Sequence, residues 1–89
     1  MIRRDLVIRN RLGLHARAAA RFVGTAGRFR SRVTAGRDGR KMDGKSILGI
    51  LLLAASQGAA IEVTTDGPDE EEAMAALVTL IEGGFGEEA

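Results

Sequence analysis

The chain's one histidine, His15, lies in the run Asn10-Arg11-Leu12-Gly13-Leu14-His15-Ala16-Arg17-Ala18-Ala19. It stands where a glycine-containing loop gives way to an alanine-rich helical segment. Such a junction offers main-chain N–H groups without intrahelical partners and the positive end of a helix dipole. Together these features bind phosphate. Arg17, in the first turn, adds a permanently charged, forked guanidinium that suits phosphate oxygens. Unperturbed imidazole titrates near about 6.5, so it is a competent nucleophile near neutral pH. A phosphoryl group on its ring nitrogen forms a labile N–P bond and can be passed on. The bland alternative is a histidine that only caps the helix or lies on the surface.

Composition narrows the remaining chemistry. The chain has no cysteine, which excludes disulfides, thiol catalysis and Cys-based metal sites. One histidine cannot build a His-cluster site, so no metal and no cofactor is expected. At 89 residues the expectation is one small domain, 1–89, with a thin core and room for one modest site. There is no Trp or Tyr and there are only three Phe, too few for a platform that stacks single-stranded nucleic acid. The apolar run Ile47 to Ala55 is about half the length of a membrane span. Met1 to Asp5 is not followed by an apolar stretch of signal-peptide length. A cytoplasmic protein without membrane insertion is therefore expected. The net charge of +1 conceals a split. Residues 1–45 hold all thirteen basic residues and three acids, whereas 46–89 hold nine acids and no Lys or Arg. That imbalance raises an anionic partner for the first half.

The elements that must position His15 follow from periodicity. Leu6 and Ile8 alternate with polar neighbours in a strand at about 3–9, its Val7 implying a face not fully open to solvent. Ala19, Phe22, Val23 and Ala26 mark one side of a helix from Ala16 to Gly27. Val33 and Ala35 lie in a second strand. Asp38-Gly39 signals a hairpin into a short third strand, Arg40 to Asp43. Ser46 caps a two-turn helix beginning at Ile47. Ile61 and Val63 mark a fourth strand. Asp69 and Glu72 fit a capping box ahead of a last helix with Ala73, Leu77, Leu80 and Ile81 as its apolar stripe. Residues 85–89 are expected to fray. The order β-α-β-β-α-β-α predicts an α/β (α+β) open-faced two-layer sandwich. Its four-stranded, mainly antiparallel sheet is covered on one face by three helices, and arginines are expected on the open face.

The helix after Ser46 carries Ile47, Leu48, Ile50, Leu51 and Leu52, more apolar groups than a thin core can bury. Some must be exposed, and an exposed apolar patch marks an interface. The alternative is a fully covered core helix.

Gly13-Leu14-His15-Ala16-Arg17-Ala18-Ala19 resembles the active-site signature of the HPr family, the histidine-containing phosphocarriers of the bacterial phosphotransferase system. Gly44-Lys45-Ser46-Ile47-Leu48-Gly49-Ile50 resembles that family's second signature, around a regulatory serine. The His-to-Ser spacing agrees without gaps, and the resemblance runs from about residue 3 to 82. It implies a carrier rather than a free-standing enzyme. Nδ1 of His15 would accept a phosphoryl group from phosphorylated enzyme I and donate it to an EIIA-type domain. Arg17 and the N–H groups of Ala16 and Arg17 would steady it. Ile47, Leu48 and Leu51 would form the docking patch. Arg17, Arg21 and Arg11 would steer acidic partners. Ser46 would be phosphorylated by an HPr kinase/phosphorylase, or would serve as a helix cap and nothing more. A monomer is the family expectation.

Two departures stand out. Ala18 occupies the place where most members have proline, which restores one N–H at the first turn. That donor is spare, bonded to water, or a third contribution to the phosphate cradle. Gly24 and Gly27 replace common lysines, with Arg21 and Arg28 nearby, which leaves the nitrogen-related carrier as well as the sugar-related one open. Two alternatives to the carrier stand beside it. One is nucleic-acid binding by the basic half, which lacks a recognition motif. The other is a regulator acting through phosphorylated Ser46.

Overall fold

The structure is a computed structural model that describes residues 1–87. Strands Ile2–Val7 (β1), Arg32–Arg37 (β2), Arg40–Asp43 (β3) and Ala60–Asp66 (β4) form one sheet in the order β1-β4-β2-β3. Every pairing is antiparallel. Helices Ala16–Ala26 (α1), Ile47–Leu52 (α2) and Glu70–Glu82 (α3) complete the order β-α-β-β-α-β-α. The fold is the expected open-faced sandwich. The first strand is shorter than its pattern suggested, and its Val7 is exposed rather than covered.

Strand alternation separates the two faces. Leu6, Val33, Ala35, Ile61 and Val63 point into the core, where Ile8, Phe22, Ile50 and Leu77 meet them. Arg3, Thr64, Thr34 and Asp43 are register partners in one row across the other face. The hairpin between β2 and β3 turns on Asp38 and Gly39, both with positive φ, which is the geometry that Asp-Gly favours. α1 packs against α2 and α3, while α3 also covers β1 and β4.

Arginines from the hairpin hold the end of α2. Arg37 donates to the carbonyl oxygens of Leu53 and Ala54 at 3.1 and 3.3 Å, and Arg40 donates to that of Leu52 at 3.0 Å. These carbonyls lack intrahelical partners, and a cation at a helix C-terminus is favourable. Part of the arginine surplus is therefore structural.

Three expectations need correction. The capping box does not form, because Asp69 makes no side-chain cap. Its carboxylate instead reaches across the fold and accepts from the N–H groups of Arg30 and Ser31 at 2.9 Å and the Ser31 hydroxyl at 2.6 Å. Glu72 is exposed, and the dipole of α3 is met by the charges of Glu70, Glu71 and Glu72 in its first turn. In the apolar stripe of α3, Met74 is buried where Leu80 is only half-buried. Finally, the segment after α3 is not frayed through residue 87. Gly84–Gly86 forms a 3-10 turn, and Phe85 is only 1% exposed within the core. The remainder of the expected frayed tail, residues 88 and 89, lies outside the described residues.

Two outcomes follow from these contacts. Phe85→Ala is expected to cost roughly 3–5 kcal/mol in urea denaturation, as for other buried Phe truncations; a frayed tail predicts no change. Asp69 has its pKa lowered from 3.8 to about 2, first by the Ser31 hydroxyl and then by the Arg30 N–H. Its ionised form is thus favoured by folding, so the stabilisation is present above about pH 4 and is lost as the pH falls toward 2. Thermal melts across that window should show the loss in wild type and a flatter profile in Asp69→Asn.

Candidate functional site

The loop between β1 and α1 is held by main-chain bonds before any side chain acts. Gly13 N–H donates to Asn10 O at 3.1 Å, and Leu14 N–H donates to Ala55 O at 2.9 Å. Gly13 has φ +68°, and a Cβ there would lie 2.6 Å from Ala55 O and 2.9 Å from Ser56 Cα. Only glycine combines this left-handed conformation with so close an approach. The loop is thereby pressed against the segment that follows α2.

His15 is the N-cap of α1. Its backbone is extended, and its Nδ1 accepts from Arg17 N–H at 3.3 Å. The nitrogen that caps the helix is thus Nδ1, the one expected to carry the phosphoryl group. Nδ1 faces the first turn, where the N–H groups of Ala16, Arg17 and Ala18 begin the helix. The Ala18 side chain is fully buried. The His15 side chain keeps 28% of its surface exposed, so the ring is reachable from solvent.

On the other side of the ring lies a residue that sequence patterns missed. Glu87 places Oε1 and Oε2 2.9 and 2.8 Å from Nε2 of His15. Oε1 also accepts from Asn10 Nδ2 at 2.9 Å, and Asn10 is fully buried. These bonds, that of His15 first and that of Asn10 second, hold the Glu87 carboxyl below its ordinary range. Arg11, Leu12, Arg17, Arg21, Gly86 and Glu87 line one shallow depression beside the ring. The structure thus brings Arg17, Arg21 and Arg11 together near His15. Arg21 also donates to the carbonyl of Phe85, tying α1 to the final turn.

Ser46 caps α2, its Oγ accepting from Gly49 N–H at 3.1 Å. Next to it Leu48 is 67% exposed, and Ile47 and Leu52 are exposed as well. Ile50 is buried, and Leu51 is half-buried against the core. The apolar surface is therefore built on Ile47, Leu48 and Leu52, with Leu51 turned partly inward, contrary to its expected place in the patch. Leu12, on the His15 loop, is exposed too. A helix of six residues cannot turn five apolar groups inward.

A surface depression of about 740 Å³ lies elsewhere, on the open sheet face. Its charges are mixed: Arg30, Arg32, Lys41 and Lys45 stand beside Asp43 and Asp66. Neither His15 nor Ser46 lines it.

A reachable imidazole capping a helix, an adjoining apolar surface and a β-α-β-β-α-β-α sandwich define a small phosphocarrier fold. The chain matches the family model described as "PTS HPr component phosphorylation site" over residues 2–83. It is 53% identical over 87 residues to the phosphocarrier protein HPr of Cupriavidus necator, covering 98% of each chain. It superposes with a TM-score of 0.96 on the crystal structure of HPr-C-His from Thermoanaerobacter tengcongensis, at 48% identity and with complete coverage of both chains. A second structure from that organism, an HPr dimer, gives a TM-score of 0.79 at 51% identity, covering 90% of this chain and 92% of the other. The chain belongs to the HPr family. It is a phosphocarrier of the phosphotransferase system rather than a catalyst in its own right. Among the described residues no helix is long and apolar enough to cross a membrane.

The Ser46 cap gives a separate outcome. Ser46→Ala should lower stability by about 1 kcal/mol through loss of the bond to Gly49 N–H. Chemical denaturation measures the change, and an unaltered midpoint would count against the cap.

Proposed function

We propose that this chain carries a phosphoryl group on Nδ1 of His15, accepting it from phosphorylated enzyme I and passing it to a histidine of an EIIA-type domain. The observation that carries this reading is the placement of Nδ1 at the start of α1, 3.3 Å from Arg17 N–H. The Nδ1 lone pair attacks phosphorus, the new N–P bond forms, and the electron pair of the broken bond returns to the donor's ring nitrogen. Arg17 and the N–H groups of Ala16, Arg17 and Ala18 then face the phosphoryl oxygens, where a helix start favours negative charge. The next transfer runs the same exchange in the opposite sense. The carrier works as a monomer in the cytoplasm.

Docking uses two surfaces of different kinds. Ile47, Leu48 and Leu52, with the exposed edge of Leu51, set orientation. Arg11, Arg17 and Arg21 steer partners that are acidic near their own histidines. Phosphorylation of Ser46 by an HPr kinase/phosphorylase adds about two negative charges at the edge of the apolar patch. Docking is then opposed by charge and bound water, while the helix cap persists.

Incubation with phosphoenolpyruvate and enzyme I tests the proposal. The expected product is an acid-labile, base-stable phosphate that is absent from His15→Ala. Failure of a cognate enzyme I to modify the wild-type chain sinks the proposal. The transfer rate should fall as salt screens the arginines, and a salt-independent encounter rate would remove the steering argument. A phosphorylation-dependent shift of the Ala18 amide signal is expected if that N–H belongs to the cradle, and no response there removes it from the set.

A further inference from the structure

Glu87 reaches His15 from the far end of the described chain and touches the nitrogen that the proposed chemistry does not use. Nε2 lies 2.9 Å from Oε1 and 2.8 Å from Oε2, while Nδ1 faces Arg17 N–H. An ionised carboxylate only accepts, and a main-chain N–H only donates. The two partners therefore ask opposite things of the two nitrogens. Glu87 requires a proton on Nε2, and Arg17 N–H requires a lone pair on Nδ1. Either contact alone leaves the tautomer to be assigned, whereas both together agree.

We infer that Glu87 is a positioning residue of the carrier: it holds His15 as the Nε2–H tautomer, so that the Nδ1 lone pair is the nucleophile, and it supplies the counter-charge once the ring is phosphorylated. This inference rests on the carrier function proposed above. Attack by Nδ1 forms one N–P bond, breaks the donor's, and leaves a cationic ring that retains its Nε2 proton. That proton faces Glu87, so the positive charge arises beside a carboxylate already in place. When the phosphoryl group leaves, the electron pair returns to Nδ1 and the ring is neutral again. No proton needs to enter or leave the ring in either direction.

The carboxylate is well placed for this because it is anchored. Its side chain is only 12% exposed. The buried Asn10 donates through Nδ2 to both Glu87 Oε1 and Gly13 O, at 2.9 and 2.8 Å. Two residues earlier Phe85 is locked in the core, and Arg21 binds its carbonyl. The other charges facing the same depression, Arg11, Arg17 and Arg21, are all positive. They favour an ionised Glu87 and oppose a cationic ring, which leaves Glu87 as the counter-charge at Nε2.

The test uses the full chain with Glu87→Gln and Glu87→Asp, both checked for a wild-type urea midpoint. Imidazole nitrogen NMR of unphosphorylated wild type at about pH 8 is expected to show Nε2 protonated and Nδ1 bare. Glu87→Gln should show a mixture of tautomers, because an amide can both donate and accept. In transfer from enzyme I, Glu87→Gln should lower kcat about tenfold with KM unchanged, since the apolar patch is untouched. Glu87→Asp should recover part of the rate. A Glu87→Gln chain with wild-type tautomer populations and wild-type kcat overturns the inference. If wild type itself takes no phosphoryl group, the carrier function fails instead, and the tautomer populations still decide whether Glu87 sets the ring.

Discussion

The close approach of Gly13 to the main chain of Ala55 and Ser56 is the contact on which the rest of this surface depends. It leaves no room for a Cβ and is fastened by the Leu14 N–H to Ala55 O bond of 2.9 Å. Because of it the His15 loop and the segment leaving α2 form one body. A phosphocarrier needs that coupling. In the docking proposed above, the partner would grip the apolar residues of α2 while the reacting atom is on the neighbouring loop, and misplacement of reacting groups by about 1 Å is costly to transfer. The same C-terminal end of α2 is held a second time, by Arg37 and Arg40 on the Leu53 and Leu52 carbonyls. The His15 ring and α2 are thus set relative to one another within the folded chain.

The charge split takes on a different meaning once the contacts are known. Arg37, Arg40, Arg21 and Lys45 all donate to main-chain carbonyls. In the acidic half, Asp69 binds the Arg30–Ser31 main chain, Glu70 pairs with the amino terminus at 2.9 Å, and Glu87 meets His15. The acidic half closes on the basic half at several separated points, among them the Arg3–Glu62 ion pair at 3.9 Å. Part of the asymmetry is therefore taken up inside the fold, while Arg11 and Arg17 line the depression beside His15. That distribution suits brief encounters with acidic surfaces better than it suits an extended polyanion, which would need a continuous basic track.

Periodicity and turn chemistry carried most of the fold. Alternation in Leu6–Ile8, Val33–Ala35 and Ile61–Val63 marked the strands, Asp38-Gly39 marked the hairpin, and Ser46 marked the start of α2, because each depends on neighbours in sequence. What escaped depends on neighbours in space. Asp69 and Glu72 satisfy the capping-box pattern, but Ser31, 38 residues away, offers Asp69 three donors when its own amide and hydroxyl are counted with the Arg30 amide. Phe85 is a single apolar residue between glycines, with no period to announce its burial. Glu87 lies beyond any helix signal, so its place on His15 is visible only once Phe85 has fixed the turn. Within α2, composition required exposed apolar groups, but only the packing of the core decides that Leu52 is exposed while Leu51 is half covered.

A carrier differs from a catalyst in what surrounds its nucleophile. Among the described residues, the hydrogen bond to Nδ1 comes from a main-chain N–H, and the carboxylate of the site lies on the opposite nitrogen. A general base at Nδ1 would have no task, because that nitrogen already presents its lone pair. On the proposed reading, a phosphoryl group on Nδ1 would meet the helix start and Arg17, both favourable to negative charge. In that reading a helix N-terminus with one arginine would hold the group, and the ring's leaving ability would come from the proton inferred to stay on Nε2. The acceptor's own nucleophile and active site must supply the rest. On the proposed function, the arrangement would store the phosphoryl group in a transferable form and leave the choice of direction to whichever partner docks on the apolar face of α2.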